Sequence, residues 1–517
     1  MVPPAHAPGR RAVLALALLL IPFFVLVFVH WGWAPAATSG DYAHFLLHAR
    51  AIVEGRPYAD IGYIYHPAAG LIGPPALPPG LPLTLAPLVA LDGVATPLVR
   101  LLMIGFVTAF AVLATWRLST IVQPWQAALG GAFAALALEA SLASVAPMSD
   151  PGFAVLLWAT ILVADRTGRW SWGRVAAVTA LGFAAIAYRL VGVALIPALL
   201  LFAWLQRTRL GTRPLIPVAI WTGTGAIAVL TDTVRIPFTD RLPQSFADLV
   251  EHLQTFVQQY YTGLGNAVLS PFPGDVANIV YHAIAGALAA LGLALILWSA
   301  RGTFLVCVVA GYALVLLVAP VAEPRYAWPL FPLFGAALAV GTALVMQPLL
   351  RPAAAPVRGL ASAAPLLAVL ALALVREMGR VPPPSLVRHP DARALFSWLA
   401  EQRRTDSTLR VAYHNPRVIT LETRVPAMGV VPRNAAGQMS ALAESRATHI
   451  VWQANGLDAD STRGRLPCVQ RIANRLPELY PDRFTLAYSN ATFRVYHVTP
   501  GDPSAYSGSE RISWNRC

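Results

Sequence analysis

Apolar residues in the first two thirds of this chain come in long unbroken runs rather than alternating with polar ones. The runs cover 12–33, 97–118, 124–146, 151–166, 173–188, 190–206, 214–232, 276–299, 302–320, 326–346 and 359–377. A helix rises about 1.5 Å per residue and a bilayer core is about 30 Å thick, so about 20 apolar residues make one span. The pattern predicts an α-helical polytopic membrane protein with about eleven transmembrane helices. Ala12 to Trp33 is long for the apolar part of a signal peptide and many spans follow it, so it reads as an uncleaved first helix. Pro78 to Leu91 is also greasy, but it is too short to cross and reads as a helix lying in the interface.

Beyond the proline-rich "VPPPS" linker (Val381 to Ser385) the pattern changes. "DARALFSWLAEQRR" (Asp391 to Arg404) has helical spacing. "LRVAY" (Leu409 to Tyr413), "THIVWQ" (Thr448 to Gln453), "FTLAYS" (Phe484 to Ser489) and "TFRVYHV" (Thr492 to Val498) read as strands. This divides the chain into a helical module, 1–380, whose first outer loop spans 34–96, and a small C-terminal α/β domain, 385–517.

Composition agrees with this division. Hydrophobic residues make up 56% of the chain, charged residues only 12%, and mean hydropathy is +0.58, too little charge to coat a soluble surface of this size. The net charge is +13 with no lysine present, so every basic side chain except histidine is arginine. With the N-terminus (Arg10, Arg11) in the cytoplasm, the inner links carry Arg117, the "DRTGRWSWGR" run (Asp165 to Arg174), "QRTRLGTR" (Gln206 to Arg213), Arg301, Arg351 and Arg358. The positive-inside rule then holds along the chain, which suits a bacterial-type inner membrane and anionic lipids. No soluble basic module suggests nucleic acid. Cys307 lies within a span, while Cys468 and Cys517 fall in the exported tail, where oxidation would favour a pair.

This sidedness gathers the ionisable groups of interest on the outer face. "SGDYAHFLLHARAIVEGRPY" (Ser39 to Tyr58) begins a helix near Asp41 and ends it at Gly55. Asp41 reads either as an N-cap or as a carboxylate able to accept a hydroxyl proton. His44 and His48 share its helical face; they read as interfacial residues or, with Asp41, as a weak metal set. Asp150, between Pro147 and Pro151, is a cap or a second acid. Arg189, after Tyr188, stands against the inside bias and needs a partner: a lipid phosphate or a structural aspartate. Arg325 with Tyr326, following Glu323, poses the same choice. Two outer arginines could clamp a phosphate together.

The order of these motifs resembles membrane glycosyltransferases of the GT-C class. The similarity is greatest to the polyprenyl-phosphate-sugar-dependent branch, the protein mannosyltransferase and lipid A aminoarabinose transferase-like families. It is carried by Asp41 at the first-loop helix, "EGRPYAD" (Glu54 to Asp60), "PPALPPGLPLTLAPL" (Pro74 to Leu88), "MSDPGFAVLLW" (Met148 to Trp158), "AYRLVGVALIPALLL" (Ala187 to Leu201) and "EPRYAWPLFPLF" (Glu323 to Phe334). The resemblance implies an inverting transfer, outside the membrane, from a polyprenyl-phosphate-linked sugar donor to a glycan, lipid or protein acceptor. It implies Asp41 as catalytic base, Asp150 as second acid, and Arg189, Arg325 and Tyr326 near the donor phosphate. Asp60, His66 and Glu323 are further candidates, and no metal or other cofactor is expected. Gly40 and Tyr42 flank Asp41 where the family has a second acid, and both "YHPAAG" (Tyr65 to Gly70) and "LPPG" (Leu77 to Gly80) partly match its Tyr-Pro-Pro.

The competing classes are a lipid-linked glycan flippase or transporter, a surface-polysaccharide polymerase or ligase, and a scaffold that keeps the fold. A transporter favours charges near mid-membrane and internal repeats, whereas here the charges crowd at one rim. Sidedness is directly testable. Reporter fusions at Gly62 and Ser397 should both signal export; opposite signals would mean that Pro78 to Leu91 spans the membrane.

Overall fold

The structure is a computed structural model. It describes residues 10–25, 41–68, 77–94, 97–136, 147–166, 168–230, 275–318, 324–348, 389–431, 433–454, 468–499 and 501–506, with short pieces within 250–254 and 362–387. The chain forms two units. One comprises Met1–Ala34 with Arg100–Arg380, the other Pro35–Val99 with Val381–Cys517. The first outer loop therefore belongs with the C-terminal domain, not with the helical module to which position along the chain assigned it.

The helical unit contains α1 (Arg10–Val25) and most of α4 (Pro97–Leu118), then α5 (Pro124–Leu136), α6 (Ser149–Ala164) and α7 (Trp172–Tyr188). A 3-10 turn at Leu190–Ala194 leads into α8 (Leu195–Leu205), followed by α9 (Leu215–Leu230), α10 (Asp275–Ser299) and α11 (Phe304–Val318). A second 3-10 segment, Pro324–Leu330, leads into α12 (Phe331–Met346). Among the described residues three helices are long and apolar enough to cross a membrane: Pro97–Leu118, Ile279–Ser299 and Arg325–Met346. The run 359–377 is described only in part, with helix at 362–368.

Small residues set the closest approaches. A Cβ added to Gly292 of α10 would sit 1.8 Å from the Ala337 carbonyl oxygen, and one on Gly341 of α12 would sit 2.0 Å from that of Leu288. Only glycine lets these two backbones meet, the usual device where lipid supplies no hydrophobic drive between helices. A buried carboxylate ties three further elements. Asp165, just past α6, accepts from Arg117 Nε (2.9 Å) and Nη2 (2.7 Å) of α4. It also accepts from the backbone N–H groups of Phe304 (2.5 Å) and Leu305 (3.3 Å) at the start of α11. It thus neutralises a buried guanidinium and caps a helix whose first N–H groups have no partner within the helix.

The second unit is built on α2 (Asp41–Val53), α3 (Gly80–Asp92) and a six-stranded sheet. Its strands are β1 (Tyr63–Ile64), β2 (Val411–Tyr413), β3 (Ala427–Gly429), β4 (His449–Gln453), β5 (Phe484–Ser489) and β6 (Phe493–Val498), in the order β1-β3-β2-β4-β6-β5. The first four are parallel; β6 runs antiparallel to β4, and β5 antiparallel to β6. β1 comes from the first loop and pairs Tyr63 with Ala427 and Ile64 with Met428. α13 (Pro390–Thr405) precedes the sheet. α14 (Pro416–Thr423) links β2 to β3 and α15 (Ala435–Glu444) links β3 to β4. The chain moves one way from β2 to β3 and then back across β2 to β4. This puts a topological switch at the C-terminal end of β2, where open α/β sheets place their binding sites. One core joins Ala412, Met428 and Ile450 of the strands to Met439 and Leu442 of α15.

The strands at 411–413, 449–453, 484–489 and 493–498 and the helix at 390–405 follow the sequence pattern. β1, β3 and α14 do not announce themselves: β1 and β3 are two and three residues long, too short for alternation to register. α3 has 13 residues, about 20 Å of helix, well short of a span. The Asp165 tie gives a stability prediction. Asp165→Ala leaves Arg117 buried and uncompensated and should cost on the order of 3–5 kcal/mol, read as a lower unfolding midpoint in detergent.

Candidate active site

In the helical unit the sequence-nominated residues come together. Asp150 lies in the first turn of α6 and is 3% exposed. One of its oxygens forms an ion pair with Arg189, the residue that ends α7. The other, Oδ2, is buried and has no hydrogen-bond partner among the described residues. The Arg189 guanidinium stands 4.8 Å from the centre of the Tyr326 ring, and that of Arg325 stands 5.7 Å from the same ring. Both Arg325 and Tyr326 belong to the Pro324–Leu330 3-10 segment. Tyr312 of α11 fixes that segment by donating its hydroxyl to the Tyr326 carbonyl (2.8 Å), and Trp158 Nε1 donates to the Pro329 carbonyl (2.8 Å). Arg189 thus takes the structural aspartate as its partner, while its aromatic platform is shared with a second cation. Glu323 lies outside the described residues.

The other nominated residues lie in the second unit. Asp41 opens α2 and its Oδ1 accepts from Arg417 Nη1 at 2.7 Å. Arg417 is in the first turn of α14, is 2% exposed, and lies 5.2 Å from the Tyr63 ring centre. The Asp41 side chain is 44% exposed. Arg50 of α2 donates to the Leu421 carbonyl (2.8 Å), and Glu54 pairs with Arg424 (3.0 Å), so α2 is tied along α14.

The two histidines of α2 are fully buried, not interfacial as an amphipathic reading has them. His48 stacks on both His44 and Tyr58. Its Nδ1 bonds the Tyr58 carbonyl (2.8 Å), and its Nε2 accepts from the Leu77 N–H (3.2 Å), so both ring nitrogens are engaged and the neutral tautomer is set. His66 is likewise engaged: Nδ1 accepts from the Ala68 N–H (3.1 Å) and Nε2 meets Glu444 (3.0 Å). Asp60 is exposed, 3.9 Å from Arg56. No group of three potential metal ligands occurs among the described residues. The Cys468–Cys517 question falls outside them, since Cys517 is not described.

Arg417 is the residue that sequence reading missed. One signal was available. A cation in the first turn of a helix opposes the helix dipole and calls for a nearby carboxylate, but the helix itself had first to be recognised in "NPRVITLET" (Asn415 to Thr423).

No family model matches the chain, and no curated protein matches it either. Solved structures do. ArnT from Cupriavidus metallidurans, bound to undecaprenyl phosphate, superposes with a TM-score of 0.51 at 14% identity, covering 94% of this chain and 97% of that one. The archaeal oligosaccharyltransferase AglB from Archaeoglobus fulgidus, in complex with an inhibitory peptide and a dolichol-phosphate, gives 0.52 at 12%, covering 96% and 75%. The mycobacterial arabinofuranosyltransferase AftD gives 0.51 at 18%, covering 96% of this chain and 40% of that one. The chain has the fold of these membrane glycosyltransferases. At such identities the likeness establishes architecture, and the chemistry has to be argued from this chain's own residues.

The buried imidazole gives a pH prediction for the second unit. Burial pushes His48 down from 6.5 to about 4; the Tyr58 carbonyl opposes this and the Arg417 charge adds to it. His449 is lowered to about 4 as well, by burial and then by His497, with Asp406 opposing. Between those values the unfolded chain binds more protons than the folded one, so stability is complete above pH 6.5 and declines as pH falls toward 4. Unfolding midpoints of the full chain should drop over that window. His48→Gln should flatten part of the slope, and an unchanged slope would remove His48 from the account.

Proposed function

We propose that this protein is an inverting glycosyltransferase that moves a sugar from a polyprenyl-phosphate donor to an acceptor hydroxyl on the extracytoplasmic face. The carrying observation is the pair of guanidiniums on the Tyr326 ring, with Asp150 as the carboxylate bonded to Arg189. Two guanidiniums gathered on one aromatic ring are suited to a phosphate monoanion or dianion. The fold shared with structures that hold undecaprenyl phosphate and dolichol-phosphate supports the same reading.

In this mechanism the acceptor oxygen attacks the anomeric carbon while Asp41 takes its proton. The bond to the phosphate oxygen breaks, and the lipid phosphate departs with the electron pair. A hydroxyl is a poor nucleophile near neutral pH, so the base is needed as the new bond forms. Arg189 and Arg325 stabilise the charge on the departing phosphate, and Asp150 orients Arg189. The lipid phosphate leaves as a stable anion, and the proposal includes no metal. The N-terminus is cytoplasmic and the C-terminal domain extracytoplasmic.

The test uses the full chain with polyprenyl-phosphate mannose and polyprenyl-phosphate arabinose as hexose and pentose donors, and membranes of a deletion strain as acceptor source. Asp41→Asn retains size and a neutral acceptor atom for Arg417 but leaves its charge uncompensated, so its melting temperature is measured first; in the folded variant transfer should fall about 10²–10⁴-fold. Near-normal transfer would return Asp41 to an N-cap, because asparagine caps as well as aspartate. Arg325→Ala should instead raise the donor KM by about 10–100-fold, the worth of one charge-assisted hydrogen bond. An unchanged donor KM would take Arg325 out of the phosphate site.

A further inference from the structure

The Asp41 carboxylate is held in an unusual way. Its partner Arg417 is 2% exposed while Asp41 remains 44% exposed, so the ion pair is buried on one side only. Arg417 Nη1 donates to Asp41 Oδ1 at 2.7 Å, but Nε and Nη2 find no hydrogen-bond partner among the described residues. What offsets this buried charge among the described residues is one oxygen of Asp41 and the face of the Tyr63 ring. A guanidinium withdrawn from water with one counter-ion binds that ion tightly, because separating them would strand a charge in a low-dielectric surrounding.

The guanidinium is itself fixed. Pro416 at the first position of α14 presets the backbone just before Arg417, and α14 follows β2 directly. Tyr63 is anchored by the pairing of β1 with β3, and the Ala427 N–H donates to the Gly62 carbonyl (3.1 Å). The carboxylate thus sits at the C-terminal end of β2, the switch point of the sheet, with one oxygen held from beneath by the C-terminal domain.

We propose that Arg417 is the positioning residue for Asp41: through this bond the C-terminal domain sets the direction from which the carboxylate meets an acceptor hydroxyl. This rests on Asp41 being the base. It gives the domain a part in turnover beyond any part in holding the acceptor. A base displaced by about 1 Å loses on the order of 10²-fold in rate while the donor still binds, because the donor-phosphate arginines are untouched.

The experiment compares Arg417→Gln, Arg417→Lys and Asp41→Asn, singly and as the Arg417→Gln/Asp41→Asn pair, in the full chain with the two donors above. Arg417→Gln should lower kcat about 10–100-fold with the donor KM within about threefold of wild type. Arg417→Lys keeps the charge without the planar fork and should recover part of that loss. The double variant should be no slower than Asp41→Asn alone, since a residue acting through Asp41 has nothing left to act on. A folded Arg417→Gln with wild-type kcat, or a double variant whose losses multiply, would overturn the proposal. If Arg417→Gln does not accumulate as folded protein, Arg417→Lys decides: a reduced kcat at wild-type melting temperature supports the positioning role, and a wild-type kcat overturns it. If Asp41→Asn itself transfers normally, the base assignment fails. If Asp41→Asn is inactive and Arg417→Gln is not, only the positioning role fails.

Discussion

A guanidinium taken out of water must find a carboxylate, and this constraint recurs through the structure. Arg117, Arg189 and Arg417 lose most of their hydration, and each bonds an aspartate from another part of the chain: Asp165, Asp150 and Asp41. In each case the partners come from different elements, so the bond can form only when those elements are packed. The arrangement gives specificity more than net stability. A buried pair returns little beyond the desolvation it costs, but a missing partner is expensive. Packing that leaves any of these arginines unmatched is disfavoured by several kcal/mol, on the order of a domain's whole stability.

The three pairs have different chemical prospects because their surroundings differ. Asp165 has its oxygens filled by Arg117 and by two backbone N–H groups, and it serves as a structural tie. Asp150 retains a buried oxygen without a donor among the described residues, and its arginine stands on the tyrosine ring that also faces Arg325. Asp41 stays half exposed while its arginine is buried. A half-exposed carboxylate held by a buried cation suits the proposed base, and a tyrosine flanked by two cations suits the proposed anion site. Their surroundings thus separate a tie from the proposed anion site and the proposed base, although all three are arginine–aspartate pairs.

The first outer loop and the C-terminal domain are separated in sequence by residues 100–380 and form one folded unit. Adding β1 to β3 covers an edge that would otherwise present unpaired backbone groups. α2 contributes two fully buried histidines and the arginine that reaches Leu421, so it is built into the domain, not laid against a membrane surface alone. The loop that carries the proposed base is thereby part of the same sheet-based scaffold as its buried cation.

By itself the sequence determined what local physics can determine. Long apolar runs have no soluble alternative, so the helices at 97–118, 172–188 and 275–299 were readable from hydropathy, and four of the six strands from β-branched and aromatic runs. It also nominated Asp41, Asp150, Arg189, Arg325 and Tyr326, because a charge at a hydrophobic rim stands out against its neighbours. Tertiary structure decided the partners. Whether Arg189 faces a lipid or an aspartate depends on how α6 packs on α7, and nothing near position 189 encodes that. β1 and β3 are too short to have a period, and His44 and His48 look amphipathic until α3, β1 and α14 close over them. Arg417 carried only the weak mark of a cation at a helix start: its burial and its bond to Asp41 exist only once residues 376 apart are brought to 2.7 Å. Periodicity is written along the chain, whereas electrostatic pairing depends on distance in space, and only the folded chain sets that distance.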